Sequence, residues 1–498
     1  MTEDPSRRFP NFAWSWPEGR RLLLLHAALN PDKTTARQAL ADWFAQNDLD
    51  DAAFPEHRLL AAITTRFGRS LEGMAEYPRM IGLHRLHWTQ SRLAVAANLP
   101  PLQAFVDAGL KVVLLKGAAR IALDPSEQKS RTAFDLDLLL PDGDFETAVE
   151  ILTSQGWQST RGESALGLRA RVSTVRARNF KMGRFGDIDL HRCAYQYVHA
   201  SEHDDARLLI DAQPATYYDV PVFVPTVEER LVMAMGHGAW DGHHHSDWLV
   251  DIASMLEREV VDWDKLHKIA VGRHLGGPVA IALSFLSQEL NLPIQHDVLK
   301  RFGAHKPRAR IRDIPALILA RDTETLSGLQ RRMRGVVHQM YRLRRSGRDK
   351  SHDTKLVRAR TRATALPDDG PKTYSHVAEQ SASSSAGRWA LTAKLLIKTP
   401  AVRRRIELEL NAPDRNLCHI QALHFHKRAG TQLISFSTQL DLTEADFPAT
   451  LASLPSKYVE AGPDAPERLK YDKLPFTVLS LTLVKRVGIS ARRVITRR

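Results

Sequence analysis

The stretch FDLDLLL, Phe134–Leu140, decides the fold that the sequence predicts. Its polar and apolar residues alternate, and Pro141 and Asp142 follow it, which is the pattern of a β-strand ended by a turn. Alternate side chains of a strand share one face, so Asp135 and Asp137 are expected to point the same way. Two carboxylates on one face are a candidate site for a divalent cation.

A short strand and a helix are predicted upstream of this stretch. KVVLL, Lys111–Leu115, is typical of a buried strand, and Gly117 follows it before a helical pattern. A glycine between a strand and a helix leaves backbone N–H groups at the positive end of the helix dipole, where phosphate binds. Lys116 and Arg131 are cations that either bind phosphate or pair with the nearby aspartates.

A further strand downstream supplies more carboxylates. Gly186–His191 ends in DIDLH, so that Asp187 and Asp189 both lie at the end of a strand. Either of them could complete a cluster of three carboxylates with Asp135 and Asp137.

The whole chain has the size and composition of a folded protein with several domains. It has 498 residues, of which 43% are hydrophobic and 26% charged. The predicted fold class is α+β, with strands expected in the last part at 417–426, 432–440 and 476–484. The predicted regions are a helical N-terminal region (1–99), a mixed α and β core (100–225), a helical region that completes the cleft (226–300), a basic helical region (301–366), a linker or surface loop (367–387) and a small α+β C-terminal region (388–498).

Charge and cysteine content restrict the class of partner and the compartment. The formal net charge of +13 favours anionic partners such as nucleotides or nucleic acids. Cys193 and Cys418 are far apart, so no disulfide framework is expected, which favours a cytoplasmic protein. No apolar run approaches the roughly 20 residues that span a bilayer, and we expect no membrane insertion.

In combination, these motifs resemble the bacterial uncharacterised nucleotidyltransferase family, within the polymerase-beta-like nucleotidyltransferase superfamily. The resemblance covers roughly residues 20 to 300. The matching segments are LLKG at Leu114–Gly117, Arg131, DLDLLL at Asp135–Leu140, DIDLH at Asp187–His191, ERLVMAMGHG at Glu229–Gly238, WLVDIASML at Trp248–Leu256 and VDWDKL at Val261–Leu266.

The resemblance implies a minimal polymerase-beta-like nucleotidyltransferase core with a small mixed sheet and flanking helices. It also implies transfer of a nucleoside monophosphate from a nucleoside triphosphate, with ATP favoured, to an acceptor that the sequence does not specify, with Mg²⁺ or Mn²⁺ as cofactor. Asp189 is preferred to Asp187 because it lies in the family-like DLH string. The implied catalytic and metal-binding residues are Asp135, Asp137 and Asp189, and the implied nucleotide-binding residues are Lys116, Gly117, Ala118 and Arg131.

Two other functions stay open on the sequence. The superfamily usually has glycine or serine after the first glycine of the loop, whereas this chain has Ala118, which favours a degenerate nucleotide-binding scaffold or sensor without turnover. The arginine-rich stretch 331–362 favours nucleic acid as a partner, although Tyr341 is its single aromatic residue and stacking on single strands is poorly supported.

Overall fold

The computed structural model divides into two compact units. The first comprises Met1–Ile151 and Arg176–Lys350, and the second comprises Leu152–Val175 and Ser351–Arg498. The structure describes residues 19–130, 133–160, 167–168, 176–195, 202–240, 246–302, 328–329, 332–333, 336, 356–359, 362–365, 387–399, 403–414, 416–425, 430–442, 450–454, 456–460, 468–472 and 476–485.

The first unit begins with helices, as the sequence predicts. They are α1 (Arg20–Leu29), α2 (Lys33–Gln46) and α3 (Phe54–Phe67). The carboxylate of Asp32 accepts hydrogen bonds from the backbone N–H groups of Thr34 and Thr35, which caps α2. The buried faces of the three helices form a hydrophobic core that includes Leu24, Leu25, Leu40, Trp43, Leu59, Leu60 and Ile63.

The next helix, α4 (Tyr77–Asp107), has two prolines in its interior. Pro100 and Pro101 lie inside this helix of 31 residues. Proline removes a backbone hydrogen bond from a helix interior and is therefore unfavourable there. Pro101, Leu102 and Phe105 are all buried, and this packing offsets the loss.

A mixed sheet follows, in which each strand that the site uses has a neighbour on both sides. The strands up to residue 224 are β1 (Val113–Leu114), β2 (Leu136–Leu139), β3 (Gln158–Ser159), β4 (Ala177–Met182), β5 (Gly186–His191), β6 (Gln213–Tyr217) and β7 (Val220–Val224). The six strands of the first unit lie in the order β4-β5-β2-β1-β7-β6. β2 is antiparallel to β1 and parallel to β5, whereas β4 is antiparallel to β5.

Helices connect and flank these strands. They are α5 (Lys116–Leu123), α6 (Phe145–Ser154), α7 (Glu202–Asp211), α8 (Val227–Trp240), α9 (Asp247–Arg258), α10 (Trp263–Gly272), α11 (Gly276–Gln288) and α12 (His296–Arg301). The α+β class that the sequence predicts is therefore confirmed, and the helices and mixed sheet are compatible with a nucleotidyltransferase core. None of the described helices has the length and apolar character needed to cross a membrane.

The described residues of the second unit beyond 350 lie mostly in strands. They are β8 (Leu356–Ala359), β9 (Arg362–Ala365), β10 (Gly387–Thr399), β11 (Arg403–Asn411), β12 (Asn416–Phe425), β13 (Gly430–Leu442), β14 (Thr450–Leu454), β15 (Ser456–Glu460), β16 (Arg468–Asp472) and β17 (Phe476–Lys485). β12, β13 and β17 overlap the three strands that the sequence predicts. β8 and β9 lie at the end of the range that is predicted as basic helix.

Candidate functional site

A helix N-terminus follows β1 where the sequence predicts a phosphate-binding loop. Helix α5 begins at Lys116, after Leu115 in extended conformation, and no side chain among the described residues caps it. The first backbone bond of the helix joins the N–H of Ala119 to the carbonyl of Leu115. The N–H groups of Lys116, Gly117 and Ala118 therefore lie in the first turn, where the helix leaves donors without intrahelical partners.

Glycine at position 117 is not required by the protein's own packing. A Cβ atom built there would lie 3.7 Å from the Cβ of Ala133, which is an ordinary contact. Lys116, by contrast, has a φ of 50°, which a non-glycine residue rarely adopts. The strain is therefore at the lysine, whose side chain turns toward the carboxylates described next.

Two predicted metal ligands face each other on neighbouring strands. Asp137 of β2 lies opposite Asp189 of β5 in the parallel register. Asp137 is buried, with 4% of its surface exposed, and the side chain of Asp189 is 23% exposed. Asp135 precedes the first residue of β2 and is exposed.

A histidine that sequence reasoning missed joins these carboxylates. The Nε2 atom of His191 lies 3.0 Å from Oδ1 of Asp137 and 3.1 Å from Oδ2 of Asp189. His191 follows Asp189 by two residues on β5, so both side chains share one face of the strand. This alternation is visible in the string DIDLH and could have identified the histidine.

The three side chains have the composition and the spacing of a metal site. One ligand atom from each of Asp137, Asp189 and His191 lies within 4.8 Å of the others. Two carboxylates and an imidazole are ligands that divalent metals use in proteins. His191 also has a buried Nδ1 atom without a hydrogen-bond partner among the described residues. These residues fit a divalent cation.

Lys116 forms an ion pair with the carboxylate of Asp137. Its ammonium Nζ lies 2.7 Å from Oδ1 of Asp137, which is the oxygen that also contacts His191. The side chain of Lys116 as a whole is 29% exposed. The ammonium therefore balances the negative charge of Asp137.

The charges of the cluster stabilise one another. Burial raises the pKa of Asp137, but the Lys116 ammonium and a hydrogen bond from His191 outweigh it and hold that pKa well below its usual range. Burial lowers the pKa of His191, and the charges of Asp189 and Asp137 together with their hydrogen bonds raise it above 6.5 overall. The carboxylate is thus ionised, and the imidazole takes up a proton more readily than usual.

The pKa values of Asp189 and Lys116 also move in the directions that favour their charged forms. Burial raises the pKa of Asp189, but His191 and Lys116 bring it below its usual value although the charge of Asp137 opposes them. Burial lowers the pKa of Lys116, and the charges of Asp137, Asp135 and Asp189 raise it overall. Asp135 is therefore close enough to act on Lys116 electrostatically.

Asp187, the alternative third carboxylate, has other partners. Its oxygens accept hydrogen bonds from the Asn179 amide at 2.8 Å and from the Lys181 ammonium at 2.6 Å. These two donors satisfy the carboxylate away from the Asp137 cluster, which favours Asp189 for the metal-binding role. Ala118 is buried in the first turn of α5, and Arg131 lies outside the described residues.

The first unit therefore combines a mixed sheet, two facing aspartates and a helix N-terminus. Residues 89–291 match the family model described as "Uncharacterised nucleotidyltransferase". The match covers β1 to β7, the site and helices α5 to α11, and it confirms the resemblance that the sequence motifs indicate over that range. No curated protein matches the chain.

Proposed function

We propose that this protein transfers a nucleoside monophosphate from a nucleoside triphosphate, with ATP favoured, to an acceptor hydroxyl or phosphate, with release of pyrophosphate. The observation that carries the proposal is the register of β2 and β5, which brings Asp137 opposite Asp189 with His191 beside both. The family match to a nucleotidyltransferase supports the same reaction class.

The proposed metal ligands are Asp135, Asp137 and Asp189, with His191 as a further candidate because of its distances to Asp137 and Asp189. The ion would be Mg²⁺ or Mn²⁺, and the histidine favours Mn²⁺ over Mg²⁺ because magnesium prefers an all-oxygen shell. A bound divalent cation would neutralise the triphosphate and stabilise the departing pyrophosphate.

The chain's own residues would bind and orient the substrate. The first-turn N–H groups of Gly117 and Ala118 are donors for phosphate oxygens, and Lys116 would exchange its contact with Asp137 for one with the triphosphate. Arg131 is proposed as a second phosphate contact on the sequence motif alone. The ionised carboxylate of Asp189, partly accessible to solvent, would accept a hydrogen bond from the acceptor hydroxyl and orient it.

Transfer of label tests this proposal. The protein is incubated with an α-labelled triphosphate, Mn²⁺ or Mg²⁺ and fractionated cell extract, and the label is followed into protein, RNA and small molecules. We expect metal-dependent transfer that Asp137→Asn abolishes and Asp187→Asn retains. Binding of the triphosphate without transfer to any fraction would favour a nucleotide sensor instead, and absence of both would contradict the proposal.

A further inference from the structure

The pairing of β2 with β5 does not extend to the two chain segments that lead into the site, although Asp187 is paired with Lys181 of β4 on the other side of β5. The pairing of β2 with β5 begins at Leu136 and Ile188, so Asp135 and Asp187 lie just beyond it. Asp135, a predicted metal ligand, therefore follows a segment that the β2–β5 pairing does not fix. A separate element has to set the direction from which this segment enters the strand.

Helix α4 contacts this segment through one serine. The hydroxyl of Ser91 donates a hydrogen bond to the carbonyl of Ala133 at 2.9 Å and accepts one from the N–H of Ala133 at 3.3 Å. It also accepts a bond from the amide of Gln128 at 3.1 Å. A hydroxyl has one donor and two acceptor sites, so Ser91 is fully used, and it is completely buried.

The same helix contacts β5 through one asparagine. The side-chain amide of Asn98 donates to the carbonyl of Asp187 at 3.1 Å, and its oxygen accepts from the N–H of Asp187 at 3.0 Å. Asn98 is 3% exposed, so it is as inaccessible as Ser91. Its two bonds engage both backbone groups of one residue, as a neighbouring strand would.

The two contacts form a repeated arrangement. Ser91 and Asn98 are seven residues apart, which places them on one face of α4 about 10.5 Å apart along the axis. Each holds the backbone of a residue two positions before a predicted metal ligand, since Ala133 precedes Asp135 and Asp187 precedes Asp189. Helix α4 thus contacts both chain segments at the point where the β2–β5 pairing ends, and it adds to the pairing of Asp187 with Lys181 of β4.

We propose that Ser91 and Asn98 are positioning residues that align Asp135 and Asp189 with Asp137 for divalent metal binding. They act through the backbone, because their polar atoms are occupied by protein groups and are buried. The inference rests on the proposed function for the metal, and it assigns to α4 a role that neither the family match nor the metal-ligand geometry contains. Loss of a group that orients metal ligands typically lowers metal affinity about 10- to 100-fold.

Mn²⁺ binding to the full-length protein tests the inference without an acceptor or a nucleotide. Free Mn²⁺ is measured by electron paramagnetic resonance during titration of the wild type, Ser91→Ala, Asn98→Ala and the control Thr89→Ala, which removes an exposed hydroxyl from the same helix. We expect Ser91→Ala and Asn98→Ala each to lower the Mn²⁺ affinity by about tenfold or more, and Thr89→Ala to leave it unchanged. Thermal unfolding and circular dichroism of each variant show whether it is folded.

The possible results distinguish failure of the proposed metal site from failure of the positioning role. Wild-type protein that binds no Mn²⁺ contradicts the proposed metal site, whereas wild-type binding that Ser91→Ala and Asn98→Ala retain contradicts the positioning role alone. Saturating Mn²⁺ should restore transfer activity in folded Ser91→Ala or Asn98→Ala protein, because the metal-binding side chains themselves are intact. If Ser91→Ala does not fold, Ser91→Cys gives the same test, since the thiol fills similar space but is only a weak donor and a weak acceptor.

Discussion

Asp137 lies directly opposite Asp189 across the parallel strands β2 and β5. Side chains at paired positions of neighbouring strands point to the same side of the sheet and lie a few ångströms apart, so two negative charges are held together in a largely buried place. Such an arrangement is costly unless cations compensate for it. Lys116 and His191 do so here, and a divalent ion would do so more strongly.

The two carboxylates of β5 should differ in function although they are two residues apart. Asp189→Asn is expected to reduce Mn²⁺ affinity by more than about tenfold, because Asp189 lies within the cluster of possible ligands. Asp187→Asn should leave it nearly unchanged, since Asn179 and Lys181 bind that carboxylate. Equal losses in this matched pair would argue against Asp189 as the third ligand.

His191 is expected to matter for the metal. His191→Gln removes the imidazole that contacts both aspartates and should weaken Mn²⁺ binding by about tenfold or more. His267→Asn, on helix α10, is the control for loss of a histidine elsewhere in the unit. Full Mn²⁺ affinity in His191→Gln would show that the histidine is not a metal ligand and serves only to compensate the charges of Asp137 and Asp189.

Stability of the metal-free protein should fall with rising pH through the titration of His191. Its pKa is raised above 6.5 in the folded state, so the protonated form contributes stability below pH 6.5 that is lost as the pH rises through the raised value. Thermal midpoints of wild type and His191→Gln, measured from pH 5.5 to 8.5, should therefore converge at high pH. Mn²⁺ affinity should change in the opposite direction, because a protonated imidazole does not bind metal. A stability difference that does not depend on pH would contradict this charge state.

Lys116 should oppose the metal and favour the nucleotide. Lys116→Ala removes the positive charge next to Oδ1 of Asp137, which His191 still contacts, so Mn²⁺ alone should bind more tightly. The same substitution should weaken triphosphate binding through loss of a phosphate contact. Lys268→Ala, an exposed lysine on α10, gives the matched change in net charge. A parallel loss of both affinities would show that Lys116 supports the site structurally.

Gly117 allows a separate test of the loop. Gly117→Ala should leave the thermal midpoint unchanged or raise it, because the new Cβ meets only Ala133 at contact distance and alanine favours the helix. Triphosphate affinity, measured by calorimetry, should nevertheless fall, since the methyl group would lie beside the backbone N–H groups that we propose as phosphate donors. Unchanged affinity would place the phosphates elsewhere.

Much of the fold could be predicted because local patterns and tertiary packing agree. The alternation in Phe134–Leu140 and Gly186–His191 predicts β2 and β5, and both strands are found. The continuation of α4 through Pro100 and Pro101 could not be predicted, because it depends on tertiary packing that buries this part of the helix. Propensity rules describe isolated segments, and tertiary packing can outweigh them.

The site could be predicted in part for a related reason. The spacing of Asp135 and Asp137 gives one strand face, but the register that brings Asp189 opposite Asp137 is a long-range property of the sheet. The alternation in DIDLH places His191 on the same strand face as Asp189, but the contact of His191 with Asp137 depends on the same long-range register. Ser91 and Asn98 act on backbone groups, which leave no signal in the sequence.

Binding of nucleoside triphosphates by titration calorimetry tests the central claim most directly, because it needs no acceptor. Each triphosphate is titrated with and without Mg²⁺ or Mn²⁺ into wild type and into an Asp135→Ala, Asp137→Ala double variant. The account predicts binding that requires both the divalent ion and the two aspartates. Binding that persists in the double variant, or no binding of any triphosphate to the wild type, would contradict it.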